Sequence, residues 1–125
     1  MTTRTHEKAR TPEEITRLFV QRLNERDADG MAELYAPDAV MAYPAGQTTV
    51  GRDAIRAVLA QFAAHAHLPV PQEESLPALR HGDLALTSTP SKDGTGTRVQ
   101  VTQRQPDGSW LRIIDRPESH PQPAS

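Results

Sequence analysis

The sequence predicts an α+β domain, with helices packed on one face of a curved sheet. Three observations carry that expectation. In the first half of the chain apolar residues recur at helical spacing, as in Ile15, Leu18, Phe19 and Leu23. In the second half they alternate with polar ones, and Gln105-Pro106-Asp107-Gly108-Ser109 sets a tight turn between the last two alternating runs.

Each element follows from local chemistry. Thr11-Pro12-Glu13-Glu14 opens the first helix: Thr11 can cap, Pro12 suits the first helical position, and Glu14 completes a capping box. That helix is expected to end near Arg26. Asp27 or Asp29 can cap a second, short helix with Met31, Leu34 and Tyr35 inward and Pro37 as its stop. A strand is expected over Ala39 to Tyr43, a turn at Pro44-Ala45-Gly46, and a return strand over Gln47 to Val50. Gly51-Arg52-Asp53 opens a third helix with Ile55, Val58, Leu59 and Phe62 on one face, ending near His65 because Pro69 and Pro71 forbid continuation. Ser75 to Arg80 reads as an edge or bulged strand, since Pro77 lacks an N–H to donate. His81-Gly82-Asp83 turns the chain into a half-buried strand, Leu84 to Thr89. Thr97 to Gln105 and Trp110 to Asp115 complete the last hairpin. One domain is expected over residues 11–117, with residues 1–10 and 118–125 as polar, disordered ends.

Composition narrows the function. The chain has 125 residues, enough for one core, and no cysteine, which excludes disulfides, thiolate catalysis and cysteine-held metals. Its formal charge is −2 with neither sign gathered into a block, so no nucleic-acid surface is expected. The first ten residues lack an apolar run and no stretch approaches the roughly 20 residues of a membrane span, so a cytoplasmic protein with no membrane partner is expected. His65 and His67 stand two apart, a spacing that points them away from each other on a helix, so no metal site is expected.

Leu34-Tyr35-Ala36-Pro37-Asp38-Ala39-Val40, then Gly51-Arg52-Asp53-Ala54-Ile55, then Gln105-Pro106-Asp107-Gly108-Ser109-Trp110 and Ile114-Asp115, resemble the nuclear transport factor 2-like superfamily, to which ketosteroid isomerases and SnoaL-like polyketide cyclases belong. The resemblance runs over about residues 11–117 and is nearest to small bacterial SnoaL-like proteins. It implies a cone in which a bent, mixed but mostly antiparallel sheet wraps around three helices and encloses an apolar cavity. It also implies a homodimer built through the sheet, and a pocket needing no cofactor. The ketosteroid isomerase pattern is not met. Its general-base aspartate falls on Tyr43, its oxyanion tyrosine near Phe19 and its second oxyanion donor near Val101. The cone is therefore expected without that isomerase's chemistry.

Five residues are candidates for a site. By alternation Asp115 shares a face with Leu111 and Ile113, and an inward carboxylate among apolar walls can act as a general acid or base. Tyr43, at a strand end, can donate a hydrogen bond to a ligand oxygen. Thr102 and Arg104 share a parity on the penultimate strand, with Thr87 as a cross-sheet neighbour. An inward arginine would bind a carboxylate or enolate-like oxygen through its planar fork, and an outward one would be a solvated charge. The expected partner is a small hydrophobic metabolite, either held without turnover or acted on by a cofactor-independent cyclase, isomerase or hydratase. A dimeric scaffold or accessory subunit is the third reading.

Overall fold

A computed structural model describes residues 6–91, 94 and 96–117, and the expected tail of residues 118–125 lies outside them. Three helices come from the first half: α1 (Pro12–Asn24), α2 (Ala28–Ala32) and α3 (Arg52–His65). Thr11 caps α1, its hydroxyl accepting from the Glu14 N–H at 3.2 Å, and Ile15, Leu18 and Leu23 are buried along one stripe. Asp27 caps α2 by accepting from the Gly30 N–H at 3.0 Å. Gly51 precedes α3 with φ of 93°, a left-handed backbone that glycine adopts without strain. Ile55, Leu59 and Ala63 then face the core.

The strands are β1 (Tyr35–Met41), β2 (Thr49–Val50), β3 (Leu79–His81), β4 (Leu84–Pro90), β5 (Thr97–Arg104) and β6 (Trp110–Arg116). They form one sheet in the order β2-β1-β6-β5-β4-β3. The pairing of β1 with β6 is parallel and all others are antiparallel, so the sheet is mixed, as expected. The α+β architecture is the predicted one.

Several boundaries differ from the sequence reading. Leu34 and Tyr35 do not extend the second helix, which ends at Ala32, and Tyr35 instead begins β1. Pro37 lies inside that strand rather than stopping a helix. It is tolerated because β2 reaches only Val40 and Met41, and the ladder to β6 is irregular between Tyr35 and Val40. The strand expected over Ser75 to Arg80 is confined to Leu79–His81; before it, Leu76 gives one backbone hydrogen bond to Ser88, and the Ser75 and Thr89 hydroxyls share one between them. The lead-in expected to be disordered is packed from residue 6 onward. Ala9 is buried and its carbonyl accepts from the Trp110 N–H at 3.0 Å, while Lys8 pairs with Asp107 at 2.7 Å.

The two faces of the sheet differ in chemistry. On the side toward the helices, β4 presents Ala85, Thr87 and Thr89, all buried, while Leu84 and Leu86 face outward. On the outer face one apolar residue from every strand falls into register: Leu79, Leu86, Val101, Ile114, Val40 and Val50 are successive cross-strand partners. Ile114 is 52% exposed and Leu79 71%. Among the described residues no helix is long and apolar enough to cross a membrane.

Candidate functional site

The site starts from an irregularity in β6. Val101 pairs with Ile114 while Thr102 pairs with Arg112, so β6 carries one extra residue, Ile113, between them. Such a bulge breaks alternation. Trp110, Arg112 and Asp115 are buried toward the helices, whereas Ile114 points outward. The face assigned to Asp115 from simple alternation is thus corrected: it lies with Trp110 and Arg112, not with Leu111 and Ile113. The carboxylate does point inward, and its residue is 1% exposed.

Register then gathers its partners. Thr87, Gln100, Asp115 and Met41 are successive neighbours across β4, β5, β6 and β1. The Thr87 hydroxyl donates to Gln100 Oε1 at 3.0 Å, and Gln100 Nε2 donates to Asp115 Oδ1 at 3.1 Å. From the other side the Tyr35 hydroxyl donates to Asp115 Oδ2 at 2.5 Å and accepts from Arg112 Nη1 at 3.3 Å. Arg112 Nη1 stands 3.8 Å from Asp115 Oδ2, an ion pair without a direct hydrogen bond. The guanidinium is held between rings, 4.9 Å from the Phe19 centroid and 5.7 Å from that of Tyr35. Arg112 Nε is buried with no hydrogen-bond partner among the described residues.

Tyr35, Gln100, Arg112 and Asp115 form the deep end of a cavity of about 410 Å³ between the sheet and helices α1 and α3. Most of its wall is apolar, with Leu23, Met41, Leu59, Phe62 and Val70 among the lining residues. At the more exposed end the irregular segment after α3 crosses over. Val70 is clasped by Asn24 through two hydrogen bonds of 2.7 and 3.0 Å, and Glu73 pairs with Arg98 of β5. Burial, the Asp115 carboxylate and its hydrogen bond push the Tyr35 phenol well above the usual tyrosine range, with Arg112 pulling the other way. Tyr35 is therefore a standing proton donor to Asp115.

The other sequence candidates are spread over several environments. Tyr43 lines the cavity, its ring edge-on to Phe62 at 5.9 Å. Thr87 is buried behind the wall, where it orients Gln100. Thr102 is buried away from the cavity, its hydroxyl donating to the Ala85 carbonyl at 3.4 Å. Arg104 is exposed and pairs with Asp83 at 2.5 Å. His65 turns Nδ1 toward the Gln61 carbonyl at 2.9 Å, and no cluster of metal-ligating side chains occurs among the described residues.

Sequence reasoning missed Tyr35, Gln100 and Arg112. Gln100 had a findable signal, since it has the parity of Thr102. Arg112 was hidden by the bulge, and Tyr35 by its assignment to a helix.

A family model for the SnoaL-like domain matches residues 16–115. Among solved structures the chain resembles a nuclear transport factor 2-like protein of unknown function from Pseudomonas putida, at 22% identity and a TM-score of 0.63 over 82% of this chain and 80% of that one. It also resembles a nuclear transport factor 2-like protein with a cystatin-like fold from Novosphingobium aromaticivorans, at 18% identity and a TM-score of 0.65 over 90% and 81%. A ketosteroid isomerase-like protein from Erwinia carotovora gives 16% identity and a TM-score of 0.61 over 83% and 89%. At these identities the likeness concerns the fold. No curated protein matches the chain.

Proposed function

The chain belongs to the SnoaL-like domain family, and on that premise we propose that it holds a small, largely apolar molecule in its cavity with the polar end against Asp115. One observation carries the reading. A carboxylate that is 1% exposed, with both oxygens accepting hydrogen bonds, stands on the wall of a hollow rather than in a filled core. About 410 Å³ falls within the roughly 300–1,000 Å³ of small-molecule sites, and apolar walls with a few convergent polar groups are their usual lining.

The same geometry supports a second reading, proton transfer without a cofactor, of the kind a cyclase, isomerase or hydratase performs. Tyr35 and Gln100 hold the Asp115 carboxylate in a fixed orientation and leave a further acceptor position on each oxygen, as a positioned general base requires. Tyr43 lines the cavity, and in this reading its hydroxyl donates to a ligand oxygen. Thr87 serves this site through Gln100, whereas Arg104 and Thr102 have no part in it.

The outer face supports a further part of the proposal, a homodimer. An apolar row spanning six strands has no covering element among the described residues. Such a row is self-complementary, as a two-fold interface requires.

The ligand reading is tested by screening small apolar fragments against the protein by NMR. Binding should shift the signals of Tyr43, Leu59 and Phe62 and should be weakened in Asp115→Asn. Fragments that perturb only surface signals, whatever their shape, would remove the cavity as a binding site.

A further inference from the structure

The charges around the cavity come in opposite pairs. At the deep end Arg112 faces Asp115 across 3.8 Å, with both side chains almost wholly buried. At the exposed end Arg98 is paired with Glu73. Arg112, Arg98, Asp115 and Glu73 are the strongly charged side chains among the lining residues, so the described wall is electrically balanced at each end.

That balance constrains a guest. A carboxylate at the deep end would set a second anion beside Asp115 with only Arg112 to neutralise both, and an ammonium would set a second cation beside Arg112. Either leaves one uncompensated charge among Phe19, Met41 and Leu59, where desolvation is costly. A hydroxyl adds no charge. Tyr35 and Gln100 occupy one acceptor position on each Asp115 oxygen, and an ionised carboxylate offers about four, so room remains for a donor from the cavity. Resting on the cavity reading above, we propose that the site selects an uncharged molecule whose polar end is a hydroxyl donating to Asp115, and that the Arg112–Asp115 pair sets this selection.

Four probes sharing one apolar ring test it: cyclohexylmethanol, its methyl ether, cyclohexanecarboxylate and cyclohexylmethylammonium, titrated near neutral pH and followed at the Tyr43 and Phe62 signals. The alcohol should bind the wild-type protein at least tenfold more tightly than the other three. Asp115→Asn leaves Arg112 without its counter-charge, so preference should invert toward the carboxylate. Arg112→Met should invert it toward the ammonium. If either variant fails to fold, the wild-type series still decides, because it needs no substitution. An ion binding the wild-type protein as tightly as the alcohol overturns the proposal while leaving the cavity as a site. Equal binding of alcohol and ether overturns the hydroxyl's role. If no probe moves a wall signal, the cavity reading itself fails along with the selection rule.

Discussion

Replacing Tyr35 by Phe removes a single oxygen at the centre of the buried network, and its cost follows from the partners that oxygen serves. The hydroxyl donates to Asp115 Oδ2 at 2.5 Å and accepts from Arg112 Nη1 at 3.3 Å. A hydrogen bond to a charged group contributes about 1.5–3 kcal/mol, and a buried partner left unsatisfied bears its desolvation cost. Gln100 still donates to Asp115, so the carboxylate is not orphaned, and the aromatic ring keeps its contacts with Arg112. The expected loss is about 2–4 kcal/mol, a large part of the roughly 5–15 kcal/mol that holds a typical domain. In urea, with a slope of about 2 kcal/mol per molar, the midpoint should fall by about 1–2 M. Tyr43→Phe is the internal control: the same oxygen is removed from a half-buried cavity wall residue outside the network, and the loss should stay under about 0.5 kcal/mol. Equal midpoints for the two variants would show that the Tyr35–Asp115 contact contributes nothing, and the account of the network would fall with it.

Two further outcomes are expected. Burial and Asp115 raise the Tyr35 phenol above its unfolded value near 10, so its contribution is fully present below about pH 10 and declines as pH rises toward the folded value. Wild-type stability should therefore fall faster than that of Tyr35→Phe between pH 10 and 11, by up to about 1.4 kcal/mol, as urea melts at both values would show; parallel curves would contradict the raised phenol. Ile114→Lys places a charge in the middle of the outer apolar row without touching the cavity. Light scattering should report twice the 13.7 kDa chain mass for the wild-type protein and the single mass for the variant, and a monomeric wild-type protein would dismiss the dimer.

The fold was largely legible in the sequence because its signals are local. Thr11-Pro12-Glu13-Glu14 and Gly51-Arg52-Asp53 open helices by the chemistry of helix ends, and the Pro106-Asp107-Gly108 turn fixes the last hairpin. The site was only half legible, because its assembly is non-local. Asp115 stood out as a lone acid ending an apolar strand, but its network joins residues from β1, β5 and β6 that meet only through register. Tyr35 follows Met31 and Leu34 at helical spacing, and nothing nearby announces that the chain has become a strand; the parallel pairing with β6 decides that. Leu84 and Leu86 also resist a hydrophobic-inside rule, since in β4 the small and hydroxylated residues face the core and the leucines face out.

The additional residue in β6 has a bearing on how relatives should be compared. Arg112 and Asp115 share a side of the sheet although they are three positions apart, because Ile113 is accommodated without a partner. In a homologue whose final strand runs straight, the equivalent cation and acid would sit two positions apart. An ungapped alignment across Ile113 would then match Asp115 to an outward-facing residue and report the acid as lost, when only the spacing had changed.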